Sequence, residues 1–364
     1  MKIFVDLNSL ARQLTGIETY ALHFASSLLQ YFPEHEYHLL FRKEIHSSFL
    51  KYKGKKSRLI QSLFNSQLLT EQIFIPLYCA KNKIDICIFP GFPPSPFIYR
   101  PIMFFCYDAT MWLFPKTISL KNKLYFKPLA EIALRRANKV FTVSESSKQG
   151  IVDTFPQVAN KVINIKSALP GRFSRIPEKE AVSCFSELGI KRPFLLSVGS
   201  LEPRKNILFT LRALAPIFKE KKVLLVLVGR NAWGTDDISK EIERLALKKY
   251  VVRTGYISMQ ILQCLYSTAE AFIFPSLYEG FGFPILEAFS CGCPVISSNT
   301  SSIPEVTDDA ALLINPHDEN GLRKAVISVM ENPSLCNELR EKGFKRAAYF
   351  SWKDCAVNFF KHQQ

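Results

Sequence analysis

Residues 274–287 read FPSLYEGFGFPILE and carry two carboxylates, Glu279 and Glu287, eight residues apart. The apolar run before them suits a strand, Pro284 suits the first position of a helix, and Gly280 and Gly282 let backbone approach a ligand closely. The amides around Phe281 and Phe283 then point out of the carboxyl edge of a sheet. One glutamate can face a reacting centre while the other accepts hydrogen bonds from a diol. A second string, SVGSLEPRKN over residues 197–206, ends a strand at Gly199 and sets Arg204 and Lys205 at the start of a helix. Two cations beside free helix-terminal N–H groups suit a diphosphate; taken alone, the doublet reads equally as a solvated pair capped by Asn206. A third string, CGCPVISSNTSSIPE over residues 291–305, places Cys291 and Cys293 without nearby histidine or acid. That is a poor zinc site and suits packed, inert thiols. Its hydroxyl-rich turn reads as a further loop beside the first two.

These loops need a frame. At 364 residues, 48% apolar and 22% charged, the chain is long enough for two domains with separate cores and too apolar to be mostly disordered. Short strand-like runs alternate with helical patterns, as in parallel sheets covered on both faces. In the first half, strands are expected at 2–7, 37–41, 84–89, 102–106, 139–143 and 161–165. Helices are expected chiefly at 17–31 and 120–137, with Ser144 capping another. In the second half, strands are expected at 194–198, 223–228, 250–253, 271–274, 294–297 and 311–314. Helices there are expected at 206–218, 237–248, 257–267, 284–290 and 319–330. The fold class that follows is α/β: two tandem Rossmann-like, doubly wound domains with a cleft between them. The domains are expected at 1–170 and 194–348, joined by a linker at 171–193, with a C-terminal helix at 349–364 packing back on the first domain.

The net charge of +15 is uneven, since residues 1–170 hold 22 Lys and Arg against 11 Asp and Glu. The densest run is Lys51, Lys53, Lys55, Lys56 and Arg58. Such a face suits a polyanion or an anionic membrane surface, and reads equally as a solvated loop. No helix-turn-helix, zinc-finger or RNP pattern accompanies it, so nucleic acid is not expected. No apolar run reaches the ~18 residues of a spanning helix, and the N-terminus turns acidic too soon for a secretory signal. Nine scattered cysteines without a C-x-x-C suit neither a disulfide framework nor a zinc ribbon. The expectation is a cytoplasmic protein, at most peripheral at the inner face of the cytoplasmic membrane.

VGSLEPRKN at 198–206, GYIS at 255–258 and Glu279 with Glu287 together resemble the E-x7-E region of the retaining glycosyltransferases of family 4, which have the two-domain type B fold. The likeness is strongest over residues 194–318 and is nearest to bacterial mannosyltransferases of surface-polysaccharide (O-antigen) assembly. Thinner matches lie at TGIETY (15–20), TVSESSK (142–148) and Tyr107-Asp108. The resemblance implies retaining, metal-independent transfer of a hexose from a nucleotide sugar to a glycan or lipid-linked acceptor. Mannose from GDP-mannose is the first choice, with dTDP-rhamnose or a UDP-sugar as alternatives. It implies Arg204 and Lys205 on the donor diphosphate, Glu287 on the ribose and Glu279 beside the transferred sugar. Gly16 would line the diphosphate side, Gly199 and residues 280–283 would border the donor, and the backbone near Tyr256 and Ile257 would meet the nucleobase. Many relatives carry a histidine before an acidic residue at the end of a central first-domain strand. Here Tyr107 holds that place, with Asp108 after it as a candidate catalytic residue or a structural cap.

Breaking the anomeric bond loads negative charge onto the diphosphate, so the site must stabilise that charge most in the transition state. Some enzymes do so with a metal held by paired aspartates. This chain has no Asp-x-Asp, and the adjacent pairs at 236–237 and 308–309 read as surface caps. Arg204, Lys205 and a helix N-terminus are expected to do that work instead. Departure and attack on one face of the sugar are favoured over a covalent intermediate on Glu279. Two readings of other classes stay open: a non-catalytic protein that binds a nucleotide sugar or polyanion, and a nucleotide-sugar epimerase. A dinucleotide-dependent dehydrogenase is disfavoured, because residues 8–16 lack a G-x-G-x-x-G fingerprint.

Overall fold

The computed structural model describes residues 1–10, 16–54, 56–115, 122–171, 173–185, 188–232 and 235–363. Lys55 of the basic run, Thr15 of the first-half motif and the start of the helix expected at 120–137 lie outside the described residues. The chain divides into two compact units, Met1–Pro170 with Ser351–Gln364, and Gly171–Phe350.

The first unit holds β1 (Lys2–Asp6), β2 (Glu36–Phe41), β3 (Ser57–Gln61), β4 (Ile86–Phe89), β5 (Ile102–Phe105), β6 (Lys139–Thr142) and β7 (Val162–Asn164). They form one parallel sheet in the order β3-β2-β1-β4-β5-β6-β7. Ile3, Phe4 and Val5 are fully buried, because helices cover both faces and leave the strand no solvent side. The helix Gly16–Tyr31 sets Phe24 4.8 Å from Phe105, and the terminal helix Trp352–Lys361 sets Phe359 4.8 Å from Phe141. Trp352 Nε1 donates to the Leu169 carbonyl at 3.0 Å. Ser144 caps the helix Glu145–Thr154, its Oγ accepting the Ser147 N–H at 3.0 Å.

Strand β3 corrects the loop reading of the basic run at Arg58 alone. Its apolar pair Leu59-Ile60 is too short to signal a strand beside so many lysines, yet it pairs with β2 from Tyr37 to Phe41. Charge on an edge strand discourages further pairing. Arg58 lies 3.2 Å from Glu36, and Lys56 donates to the Glu34 carbonyl at 3.3 Å.

The second unit holds β8 (Phe194–Val198), β9 (Leu224–Val228), β10 (Val251–Gly255), β11 (Ala271–Phe274), β12 (Val295–Ser298) and β13 (Ala311–Ile314). The parallel order is β10-β9-β8-β11-β12-β13. The core joins Leu211, Leu214 and Phe218 of the helix Ile207–Glu220 to Leu225, Leu227 and Ile273 of the sheet. Residues 171–193, read as a linker, fold into this unit: the helix Glu178–Phe185 packs Phe185 edge-on to Phe194 at 5.8 Å. The helix Pro333–Tyr349 was also not expected, because only Leu339, Gly343 and Ala347 of its 17 residues are buried and leave little apolar period to read.

Strand β8 has β9 on one side and β11 on the other, so the connections after β8 and β11 run to opposite sides. Such a switch point opens a crevice at the strands' carboxyl ends, where doubly wound sheets bind ligands. Among the described residues, no helix is long and apolar enough to cross a membrane.

Candidate active site

The loop after β8 turns at Gly199, whose φ of +142° favours glycine. Residues Pro203–Lys205 then form one 3-10 turn, Asn206 takes a left-handed φ of 58°, and the helix starts only at Ile207. Arg204 and Lys205 therefore precede the helix instead of opening it, as the sequence suggested. The Asn206 side chain caps no helix amide; its Nδ2 donates to the Pro316 carbonyl at 2.8 Å.

The loop after β11 meets this turn across the crevice. Leu277 N–H donates to the Arg204 carbonyl at 2.9 Å, and Arg204 Nη1 donates to the Tyr278 carbonyl at 2.6 Å. Glu279 lies between the cations, with Oε1 2.6 Å from Lys205 Nζ and Oε2 2.9 Å from Arg204 Nη1. Glu202 takes the other arm of Arg204 at 2.6 Å. The two expected cations thus stand against two carboxylates. Largely buried charges demand such partners, because desolvation without them costs several kcal/mol. Burial alone would raise the Glu279 carboxyl, but Lys205 and Arg204 overcome it and hold the group below the ordinary glutamate value. Burial pulls the Lys205 ammonium down, with Glu279 opposing and Arg204 adding to the fall.

The hydroxyl-rich loop after β12 supports the Glu279 loop, a role its position at the rim did not reveal. Ser301 Oγ accepts the Glu279 N–H at 2.9 Å, and Ser302 Oγ donates to the carbonyls of Glu279 and Phe281 at 2.9 and 3.1 Å. Ser298 Oγ and Thr300 Oγ1 both donate to the Ser276 carbonyl. The run of serines and threonines was the available signal. The helix Phe283–Ser290 follows Gly282, held at φ +105°. On its first turns Glu287, half-buried, accepts a hydrogen bond from Tyr266 OH at 3.1 Å, a partner the sequence reading missed. Burial pushes the Glu287 carboxyl up to about 7, against the lowering effect of the Tyr266 bond.

Over residues 184–346 the chain matches the family described as glycosyl transferases group 1. It is 30% identical over 261 residues to O-antigen chain mannosyltransferase B of Escherichia coli, spanning 70% of this chain and 68% of that protein. The chain belongs to the group 1 glycosyl transferases. The serotype-specific mannosyltransferase WbdA of Escherichia coli is also 30% identical, over 65% of this transferase and 29% of WbdA. Sucrose-phosphate synthase from Thermosynechococcus elongatus superposes with a TM-score of 0.75 at 18% identity, covering 99% of this transferase and 98% of that chain. The fold is the type B glycosyltransferase fold of two Rossmann-like units.

The remaining site candidates of the transferase fall into three groups. Gly280 lies in the Glu279 loop, while the Phe281 ring is buried edge-on to Phe350 at 5.4 Å and 5.4 Å from Phe283, so Phe281 offers a ligand its backbone alone. Tyr256, exposed, and Ile257, half-buried, follow β10 at the carboxyl edge of the same sheet. Gly16 and Asp108 belong to the first unit. Gly16 opens its helix, and among the described residues nothing lies within 4 Å of an added Cβ. Asp108 Oδ1 accepts the Thr110 N–H at 2.8 Å, the capping alternative, and the Tyr107 hydroxyl donates to the Pro90 carbonyl. Cys291 and Cys293 are buried; burial, with Glu287 adding, pushes the Cys291 thiol up to about 12, as suits an inert residue. Among the described residues no cluster of three or more His, Cys, Asp or Glu is placed to hold a metal.

Two expected results test the local geometry. A Cβ at Gly199 would lie 3.1 Å from Lys205 Cε. Gly199→Ala should therefore cost about 1–3 kcal/mol of stability through backbone strain and displace Lys205, seen as weaker nucleoside diphosphate binding in calorimetry. Because Glu287 binds its proton more tightly when folded, its contribution to stability is unpenalised below its unfolded pKa. The penalty grows as pH rises through about 7. Native protein should lose stability relative to Glu287→Gln between pH 5 and 8, by at most about 3 kcal/mol; parallel denaturation midpoints across that range would refute the raised carboxyl.

Proposed function

We propose that this transferase moves a hexose, mannose from GDP-mannose as first choice, onto a glycan or lipid-linked acceptor in cell-surface polysaccharide synthesis. Transfer proceeds with retention and without a metal. The single observation that carries this reading is the Arg204, Lys205, Glu279 cluster at the β8–β11 crevice. The names of the O-antigen mannosyltransferase relatives support the choice of sugar and pathway class.

In the proposed reaction the donor diphosphate draws Arg204 and Lys205 from Glu279 and takes their hydrogen bonds. The bond from the anomeric carbon to the diphosphate oxygen breaks, and its electron pair leaves with the phosphate. The acceptor hydroxyl oxygen bonds to the same carbon from the same face, and its proton passes to the departing phosphate. Arg204 and Lys205 supply the stabilisation that a divalent ion supplies elsewhere. Glu279, released from the cations, orients the sugar beside it. Glu287 accepts from the ribose diol, and the backbone after β10 meets the base. The protein works at the inner face of the cytoplasmic membrane, in peripheral contact with anionic lipid through its first unit.

The test is a donor panel of GDP-mannose, dTDP-rhamnose and UDP-sugars, read by thermal shift and by nucleoside diphosphate release with acceptor, with and without EDTA. GDP-mannose should give the largest shift, since a bound ligand raises apparent stability by mass action. Release should survive EDTA, and the product's anomeric proton should show retention. A larger shift with another donor reassigns the sugar. Donor isomerisation without release makes the protein an epimerase, and binding without turnover makes it a scaffold.

A further inference from the structure

The first unit exposes apolar side chains where a water-facing helix carries polar ones. Residues 67–81 form one helical stretch with a π turn at Thr70–Phe74, and residues 122–136 form another, opened by a π turn at Asn122–Phe126. On the first, Leu69, Ile73 and Leu77 are exposed at i, i+4 and i+8; on the second, Leu124, Pro128 and Ile132 repeat that spacing. Leu77 is 66% exposed and Leu124 71%. That spacing puts each trio on one helix face, so each stretch turns an apolar stripe outward, with Leu68 also 53% exposed, while Ile75 and Cys79 of the first and Ala130, Ala133 and Leu134 of the second are buried.

The two stripes are neighbours. Tyr125 OH donates to Glu71 at 2.8 Å and accepts from Gln72 Nε2 at 3.2 Å, tying one helix to the other. Ser95 Oγ donates to Gln72 Oε1 at 2.9 Å, and Arg136 donates to the Ile98 carbonyl at 3.3 Å. The segment between them carries Phe97 and Tyr99, the latter 89% exposed. Contiguous apolar exposure of this kind marks an interaction surface.

The charges around it name the partner. Lys81, Lys123, Arg135 and Arg136 are exposed at the ends of the stripes. The acids of the two stretches are withdrawn: Glu71 is buried, and Glu131 is half-buried and accepts from Trp112 Nε1 at 3.0 Å. Leucine and isoleucine on one face, an aromatic segment beside them and the cations Lys81, Lys123, Arg135 and Arg136 at the stripe ends match an anionic bilayer, whose acyl region takes the stripes and whose phosphates meet the cations. We propose that these two helices are the surface by which the first unit lies on an anionic membrane. This deepens the peripheral contact in the proposed function and rests on it, while moving the footprint away from the basic run at 51–58.

The experiment is co-sedimentation of the full chain with phosphatidylcholine vesicles with and without phosphatidylglycerol. Three proteins are compared: native, Ile73→Asp with Leu124→Asp, and Lys51→Glu with Lys56→Glu. All four positions are exposed and outside the donor site, so unchanged circular dichroism and nucleoside diphosphate release from donor establish that each variant is folded. Native protein should partition onto the anionic vesicles, the Ile73/Leu124 variant at least about tenfold more weakly, and the Lys51/Lys56 variant nearly as well as native. Equal partitioning of the Ile73/Leu124 variant and native protein, with loss in the Lys51/Lys56 variant, overturns this surface but keeps the membrane contact. No partitioning of native protein overturns both. A dimer in sedimentation velocity that dissolves in the Ile73/Leu124 variant makes the patch a self-association face and overturns the lipid assignment.

Discussion

Arg204→Ala combined with Lys205→Ala should weaken nucleoside diphosphate binding by about a hundredfold or more and reduce turnover at least as much. Charge-assisted hydrogen bonds contribute about 1.5–3 kcal/mol each, and removing one donor to an oxyanion typically costs about 10²–10³ in rate. The native cations already bond Glu279 at 2.6 and 2.9 Å, so part of that gain is spent on exchanging partners. This is why the estimate sits at the low end of the additive range. Titration calorimetry with GDP, followed by initial rates with donor and acceptor, measures both effects. GDP binding as tight as in native protein would remove the diphosphate from this crevice and the proposed mechanism with it.

Glu279→Gln should separate binding from chemistry. In the proposed reaction the carboxylate is the counter-charge that a diphosphate displaces, so the amide weakens the hold on Lys205 and on one arm of Arg204, whose other arm stays on Glu202. GDP affinity is expected to stay level or rise, while transfer falls about a hundredfold or more because the proposed contact of the Glu279 carboxylate with the sugar is lost. The unliganded variant should also be less stable, since removing one partner of a buried ion pair costs about 3–5 kcal/mol. Glu202 still holds Arg204 and limits that loss. Saturating GDP should then raise the melting temperature of the variant more than that of native protein. Native-like turnover in the variant would withdraw Glu279 from the reaction and leave it a structural partner of the two cations.

Much of the scaffold is readable from local pattern. Runs such as Leu224–Val228 and Ala271–Phe274 are apolar throughout because both sheet faces are covered, and such runs stand out between helical periods. Ser144 is legible as a cap because its hydroxyl acts three residues along the chain. Strand β3 and the helix Pro333–Tyr349 escape, the one hidden among lysines, the other with only Leu339, Gly343 and Ala347 buried and so little apolar period. Tyr266 escapes as a partner of Glu287 because 21 residues and a strand separate them.

Composition, apolar period and the glycine, proline and charged strings were enough to specify two α/β units and to put Arg204, Lys205 and Glu279 at strand-to-helix connections, with Glu287 on the helix that follows Glu279. Their electrostatic state came from elsewhere. Lys205 and Glu279 are 74 positions apart, and they touch because β8 lies beside β11 in the sheet. Strand order is a matter of long-range packing, which no local spacing encodes, and it makes an apparent cationic pocket a balanced set of ion pairs. The same holds for the outward leucines of 67–81, a stretch where no helix was expected: only burial by neighbouring elements distinguishes its covered face from the bare one.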